Sequence, residues 1–195
     1  MTIITAVQKD NEVAIACDTL TTTGGMKLSA DYQVGAFKLI PYGDSILGLS
    51  GLCAVKFIFA DLLARTEPVP LNSREDIFKW LLSHQATLKS DYFLKTDNGT
   101  DKSQPAETQW LHALLINPHG IFSIGRYREV NEFSKFWAIG SGRQFALGAL
   151  EVLYQQNLSA SEIAREAAYT ATKFNPSCAE PITVETIHKY QPSAT

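Results

Sequence analysis

Three residues in the first part of the chain carry side chains that together can turn a hydroxyl into a nucleophile. Thr2 follows Met1, Asp18 ends an apolar run, and Lys38 begins another. Once Met1 is removed, as is normal before a small residue, Thr2 carries a hydroxyl and an α-amine, so a nucleophile and its base coincide. The amine has an ordinary pKa of about 7.7 to 8.0, and a nearby ammonium group leaves much of it neutral. A lysine among apolar neighbours usually has an acidic partner, so we expect Asp18 to orient Lys38 beside this amine.

The predicted strands bring the threonine and the aspartate together. Residues 2–8 and 12–18 are rich in β-branched and apolar side chains and flank a Lys-Asp-Asn turn, which predicts an antiparallel hairpin. If the turn is centred on Asp10, Thr2 stands opposite Asp18, with Cβ atoms about 5 Å apart. The acidic side chain then lies where the mature chain begins.

The rest of the sequence alternates blocks of strands with pairs of helices. Apolar runs bounded by turn residues predict strands at 37–42, 45–50, 110–117, 121–127, 133–139 and 181–190. Helical spacing of apolar residues, with N-terminal caps at Ser73 and Ser159, predicts helices at 52–66, 73–94, 140–156 and 159–174. Residues 95–108 are polar and predict an exposed loop. This order fits antiparallel sheets covered by helices, so we predict an α+β fold, a four-layer αββα sandwich, in one domain spanning 1–195.

The composition argues against several classes of protein. The net charge is −3 and no basic run is interleaved with aromatic residues, so we expect no nucleic-acid partner. No apolar run approaches the roughly 20 residues of a membrane span, and no signal-peptide pattern is present, so we expect a cytoplasmic protein without membrane contact. Three cysteines without a CxxC pattern predict reduced thiols, and we expect no metal and no cofactor. The GSGR segment lacks a following GK[ST], which argues against a phosphate-binding loop.

Several segments resemble a known family. TIITAVQKDNEVAIACDT resembles the amino-terminal hairpin of proteasome β-type subunits. AIGSGRQFALGAL, LSASEIAREAA and ITVETI resemble the HslV peptidase, and DTLTTTGG and FKLIPYGDSILGLSG resemble the betaproteobacterial proteasome homologue. The match covers almost the whole chain. It implies the Ntn-hydrolase fold, which is an αββα sandwich, and threonine-type peptidase chemistry.

The resemblance implies roles for six residues of this chain. They are Thr2 as nucleophile, Asp18 as acidic partner, Lys38 as the lysine that tunes the amine, Gly48 as an oxyanion donor through its backbone N–H, Ser141 as a hydrogen-bond partner near the terminal amine, and Thr22 as the residue that aligns the substrate backbone. An oxyanion donor is worth about 3 kcal/mol in comparable sites. The interval from Asp18 to Lys38 is longer than is usual in the family, so Lys27 stays open as the alternative lysine.

One segment departs from the family pattern. The family often has an acidic residue and a serine bracing the site near KFNPSCAEP, where this chain has Asn175 and Ser177 or Cys178. An asparagine carries no charge, so a weakly active or specialised peptidase stays open.

The resemblance also implies an assembly and its partners. It implies a homo-oligomer of stacked rings, a tetradecamer or a dodecamer, that degrades peptides or unfolded proteins supplied by an ATP-dependent unfoldase. Two other functions stay open, a non-catalytic ring scaffold and an amidase that acts on small amides. The combination of Thr2, Asp18 and Lys38 favours the threonine peptidase.

Overall fold

Two antiparallel sheets form the centre of the fold. The computed structural model describes residues 2–96 and 106–190. Its strands are β1 (Ile3–Lys9), β2 (Glu12–Asp18), β3 (Thr21–Thr23), β4 (Met26–Leu28), β5 (Leu39–Tyr42), β6 (Ser45–Ser50), β7 (His112–Asn117), β8 (Gly120–Ile124), β9 (Val130–Phe133), β10 (Phe136–Gly140) and β11 (Ile182–His188). Its α-helices are α1 (Cys53–Arg65), α2 (Arg74–Ser83), α3 (Gln85–Ser90), α4 (Arg143–Leu153) and α5 (Ala160–Phe174). The first sheet has the strand order β10-β1-β2-β11, the second has the order β5-β6-β7-β8-β9, and β3 pairs with β4.

The strands β1 and β2 are buried on both faces, which explains why they are nearly continuous apolar runs in the sequence. On one face, Ile3 and Val7 pack with residues of α4 and α5. On the other face, Ile4 and Ile15 pack against Leu114 of the second sheet. Successive side chains of a strand point to opposite faces, so the same two strands contribute side chains to both cores. The ends of β1 and β2 are therefore held firmly in the middle of the molecule.

Helices cover the outer faces of the two sheets. The helices α1, α2 and α3 pack on the second sheet through large side chains such as Phe59 and Trp80. The helices α4 and α5 pack on the first sheet largely through alanines, including Ala164 and Ala168. The order of layers is helix, sheet, sheet, helix. The four-layer αββα sandwich predicted from the sequence is confirmed.

The first hairpin forms where the sequence predicts it, but its register differs by one residue. Pairing continues up to both sides of Asp10 and Asn11, so the turn contains two residues rather than three. Asp10 has a φ of 52°, a left-handed conformation that suits two-residue turns and that aspartate tolerates. This register places Ile3, and not Thr2, opposite Asp18. The predicted cross-strand pairing of Thr2 with Asp18 is therefore wrong.

The helix predicted at 73–94 is divided in two. Its two parts, α2 and α3, meet at His84. Ser73 caps α2 as predicted, because its hydroxyl accepts a backbone N–H of the first turn. The hydroxyl of Ser83 donates to the carbonyl of Trp80 at 2.7 Å, which competes with the helical hydrogen bonds there and ends the first helix.

Three other segments differ from the sequence-based picture or fall outside it. The strand predicted at 133–139 corresponds to β10 of the first sheet, and only its first residue, Phe133, belongs to β9 of the second sheet. The segment after β2, which lies outside the predicted strands and helices, contains the β3–β4 hairpin, whose turn residues Gly24 and Gly25 both have positive φ. The predicted loop at 95–108 lies mostly outside the described residues.

Candidate active site

Thr2 and Asp18 lie side by side at one end of the first sheet. Thr2 directly precedes β1, and Asp18 is the last residue of β2. The Thr2 hydroxyl donates to Asp18 Oδ1 at 2.7 Å, and the N–H of Ile3 donates to the same oxygen at 2.9 Å. Both side chains are buried, and Asp18 has no exposed surface. The sheet therefore holds the hydroxyl against a carboxylate although the two residues are not direct cross-strand partners.

Lys38 reaches this carboxylate from the second sheet. It directly precedes β5, and its carbonyl accepts the N–H of Leu49 at 3.0 Å. Its Nζ donates to Asp18 Oδ1 at 2.6 Å and to the carbonyl of Leu20 at 2.9 Å. The side chain is 7% exposed, whereas Lys27 lies exposed on β4. The structure thus brings Lys38, and not the alternative Lys27, to Asp18, and we call Thr2, Asp18 and Lys38 the Thr2 cluster.

The carbonyl group of Thr2 is held from the other side by the end of β10. The hydroxyl of Ser141 and the N–H of Gly142 both donate to this oxygen, each at 3.4 Å. Gly140 has a φ of 98°, and a Cβ there would collide with the same oxygen. Ser141 therefore lies beside Thr2, as the sequence predicts, and its contact is with the carbonyl group. The nucleophile candidate is fixed through both its side chain and its backbone.

A narrow cleft opens over the Thr2 cluster. It holds about 30 Å³ of free space. Its apolar walls include Leu20, Leu49, Val55 and Leu111. Lys56 also lines it, and burial lowers the pKa of this lysine. A hydroxyl that faces such a cleft, beside a carboxylate and an ammonium group, can attack an electrophile bound there.

Two solved structures of BPH from Thiobacillus denitrificans are similar to this chain over nearly its whole length. The complex with epoxomicin is 37% identical, covers 97% of this chain and 100% of that chain, and has a TM-score of 0.89. The other structure is 36% identical, with 98% and 100% coverage and a TM-score of 0.90. The chain belongs to the proteasome β-type and HslV-like family.

A more distant structure shares the fold of this proteasome-like chain. Eukaryotic HslV from Trypanosoma brucei is 21% identical over 96% of this chain and 99% of that chain, with a TM-score of 0.65. No protein-family model and no curated protein sequence matches the chain. The family assignment therefore rests on the solved structures, and the fold is that of a proteasome-type protease subunit.

Gly48 does not line the cleft of this proteasome-like chain. It lies within β6, where a Cβ would come within 2.8 Å of Ile4 Cγ2 and 3.0 Å of Ile15 Cδ1. The N–H of Leu49 bonds to the carbonyl of Lys38 beside β5, so the alternation of an antiparallel ladder directs the N–H of Gly48 to β7. Glycine is needed there for the close approach of the two sheets. The oxyanion role predicted for Gly48 does not fit this position.

Gly51 is the glycine that reaches the cleft. It follows β6, has a φ of 118°, and lines the cleft between Ser50 and Leu52. A Cβ at this position would meet nothing within 4 Å, so the backbone conformation, and not the space, requires glycine. The segment GLSG contains both glycines. A glycine just past a strand marks a turn, and this signal favours Gly51 over Gly48, which lies inside the strand.

Thr22 lies on β3 and pairs with Lys27 of β4. Its neighbour Thr21 lines the cleft, and Thr22 is not among the lining residues. Within the described part of the chain, β4 is the one ladder partner of β3. The other edge of β3, away from β4, therefore pairs with no strand in that part of the chain.

The segment that departs from the family pattern contacts the Thr2 cluster through Ala179 and contacts Ser141 through Cys178. The N–H of Ala179 donates to Asp18 Oδ2 at 3.3 Å. Cys178 Sγ lies 3.9 Å from Ser141 Oγ, and burial raises the pKa of this thiol to about 11. Asn175 caps the C-terminus of α5, and its side chain accepts a backbone N–H two residues further on. The asparagine is thus engaged in a local turn, and the group of this segment beside Ser141 is a neutral thiol.

The described residues also define what the site lacks. Across 2–96 and 106–190, no three His, Cys, Asp or Glu side chains come together in a way that could hold a metal ion. Burial raises the pKa of Cys17, next to Asp18, to about 12, so this thiol is neutral as well. No helix in the same ranges is long and apolar enough to cross a membrane.

Proposed function

We propose that this chain is an N-terminal-threonine endopeptidase subunit of a proteasome-like ring complex, with Thr2 as nucleophile after removal of Met1. One observation carries the proposal. The hydroxyl of Thr2 and the ammonium group of Lys38 both donate to one oxygen of Asp18 beneath the cleft. Taking two charges out of water costs several kcal/mol per ion, so a buried pair is a weak source of stability and a chemical role explains it better.

The proposed reaction uses the α-amine of Thr2 as general base. The positive charge of Lys38 favours the neutral form of an amine whose pKa is ordinarily about 7.7 to 8.0. The amine takes the hydroxyl proton while Oγ1 bonds to the carbonyl carbon of the substrate. The peptide nitrogen then leaves with a proton, and an ester joins the acyl part of the substrate to Thr2. Water hydrolyses this ester and restores the hydroxyl.

The backbone N–H of Gly51 is the proposed donor to the oxyanion. Gly51 lines the same cleft as Thr2, and one such donor contributes about 10² to 10³ in rate in other acyl-transfer enzymes. Ser141 and Gly142 hold the carbonyl of Thr2 and so aim its hydroxyl. We regard Ser141 as a positioning residue.

The proposed substrate is a peptide or an unfolded protein that lies along β3 as an added strand. Thr21 lines the cleft, and the backbone of Thr22 follows it along the edge that faces away from β4. The proposed assembly is a homo-oligomer of stacked rings, a tetradecamer or a dodecamer. An ATP-dependent unfoldase is the proposed supplier of unfolded chains. Family membership supports these assignments.

Labelling by epoxomicin tests the proposed chemistry, because a peptide epoxyketone reacts with an amine and a hydroxyl on the same residue. The BPH structure with this compound motivates the choice of probe. We expect the intact mass of the wild-type protein to show loss of Met1 and one adduct per chain. Thr2→Ala should give no adduct, and the matched control Thr170→Ala, on α5, should be labelled like the wild type.

Two results would contradict the proposal. The first is retention of Met1 in protein taken from the cell that makes it. The second is loss of Met1 without any adduct, which would favour the alternative, a non-catalytic ring scaffold.

A further inference from the structure

A second cavity adjoins the cleft. It holds about 420 Å³ and shares the segment 50–52 with the cleft. Its other walls include Gly140 and Ser141, which contact the carbonyl group of Thr2. In the first sheet β1 lies between β2 and β10, so the cleft is on the β2 side of Thr2 and this cavity is on the β10 side. We call it the β10-side cavity.

The position of this cavity suits the part of a bound peptide that follows the cleaved bond. This step rests on the proposed function. A peptide that pairs with β3, which follows β2, has its acyl half over the cleft. Its leaving half then crosses Thr2 and enters the β10-side cavity. The first residue after the cleaved bond is the one that lies there.

The β10-side cavity is lined by basic groups. His112, Arg126 and Arg143 line it, and none of its lining residues is acidic. The guanidinium of Arg126 lies over the ring of Trp110, 3.9 Å from the ring centre, and Nη1 of Arg143 donates to the carbonyl of Gly140 at 3.1 Å. Within the described residues neither arginine forms an ion pair. Both guanidinium groups are thus held in place with N–H groups left for a ligand.

The positive charge of the β10-side cavity comes from its two arginines, as the states of His112 and Glu129 show. Burial is the main cause that lowers the pKa of His112, and Arg143 and Arg126 lower it further. Glu129 acts in the opposite direction on His112, and its carboxylate accepts the N–H of Tyr127 at 2.9 Å. His112 is therefore neutral at neutral pH, and Glu129 offsets part of the positive charge without lining the cavity.

We propose that the β10-side cavity is the subsite for the first residue of the leaving half and that it selects a carboxylate there. Arg126 and Arg143 bind the carboxylate through charge-assisted hydrogen bonds. The carboxylate comes either from an aspartate or glutamate side chain or from the free carboxyl terminus of a short peptide. The volume of the cavity suits a whole residue, whereas the cleft suits a small group.

Matched peptides test this selection. Two internally quenched peptides that differ only in Glu or Gln after the cleaved bond give a ratio of kcat/KM. Hydrogen bonds to charged groups contribute enough for a ratio of about ten in the wild-type protein. Arg126→Gln and Arg143→Gln should each lower the ratio, and the double variant should bring it to about one. Arg165→Gln removes an exposed arginine of α5 and should leave the ratio unchanged.

A second pair of peptides separates the two sources of the carboxylate. These peptides end one residue after the cleaved bond, in a free carboxylate or in an amide. A preference for the free acid alone assigns the subsite to peptide termini, and a preference for Glu over Gln within a longer peptide assigns it to acidic side chains. Ratios near one in both pairs overturn the proposal.

Binding to Thr2→Ala keeps this test separate from that of the proposed reaction. The affinities of the Glu and Gln peptides for this variant are measured by fluorescence anisotropy. If the wild-type protein cleaves the peptides and is labelled by epoxomicin but shows no preference for a carboxylate, the proposed subsite is wrong. The proposed peptidase activity is then retained. Absence of cleavage and of labelling, together with a preference that both arginines support, overturns the peptidase and retains the carboxylate-binding cavity.

Discussion

Two ion pairs in this molecule have nearly the same geometry and opposite surroundings. Lys38 and Asp18 lie 2.6 Å apart beneath the cleft, with side chains 7% and 0% exposed. Lys89 of α3 and Glu107, in the segment before β7, lie 2.7 Å apart, with side chains 48% and 43% exposed. The distance between the charged atoms therefore says little about how much either pair contributes to stability or to the site.

The difference lies in what replaces water around the carboxylate. Asp18 accepts hydrogen bonds from Thr2, Ile3, Lys38 and Ala179, so both of its oxygens are occupied. The carboxylate of Glu107 is held chiefly by Lys89, whose hydrogen bond lowers its pKa, and the solvent screens the pair. The buried pair thus belongs to a network from which water is excluded. The exposed pair has a further partner, because Gln85 Nε2 donates to Glu107 at 3.0 Å, but its groups stay open to solvent.

The largest expected effect comes from breaking the buried pair. Lys38→Met leaves the charge of Asp18 without its ammonium partner, which typically costs about 3 to 5 kcal/mol. We expect the free energy of unfolding, measured with denaturant, to fall by that amount. We also expect epoxomicin labelling to be lost.

A double variant separates the charge from the packing. In Lys38→Met with Asp18→Asn no charge is buried, so part of the lost stability should return while labelling stays absent. Wild-type stability of the single Lys38→Met variant would show that the pair is not the network described here.

An intermediate effect is expected at His84, which is half-buried where α2 and α3 meet. Its ring lies edge-on to Trp80, 5.3 Å away, and burial lowers its pKa below the ordinary 6.5. The unfolded chain then binds a proton more readily than the folded chain, so stability is lost as the pH falls below about 6.5. The advantage in stability of the wild type over His84→Gln should shrink between pH 7 and pH 5. A difference in stability between the wild type and His84→Gln that stays the same from pH 7 to pH 5 would contradict this account.

The smallest effect is expected at the exposed pair. Lys89→Ala should lower the free energy of unfolding by about 0.5 kcal/mol or less, because water and salt already screen both charges. The small loss should decrease further when the salt concentration is raised during the same denaturant measurement. A loss comparable to that of Lys38→Met would remove the contrast between the two regions.

Local signals account for the parts of the fold that the sequence predicts well. The caps at Ser73 and Ser159 lie where serine precedes an apolar helical pattern, and both accept backbone N–H groups as expected. The double burial of β1 and β2 follows from their apolar composition. These features depend on neighbouring residues, so they can be inferred before any tertiary contact is known.

The errors concern features that depend on single atoms or on distant parts of the chain. The same sequence fits a first turn of two residues or of three. The choice between them decides whether Thr2 or Ile3 stands opposite Asp18. The break at His84 depends on a hydroxyl that bonds to its own helix. The choice between Gly48 and Gly51 depends on which glycine faces the other sheet, which the strand pattern does not reveal.

The bonds that hold Thr2 have a bearing on maturation. They run through its hydroxyl, its carbonyl oxygen and the amide of Ile3. Cutting the bond between Met1 and Thr2 breaks none of them. On the proposed function, the contacts that position Thr2 do not have to be remade when its amine is freed.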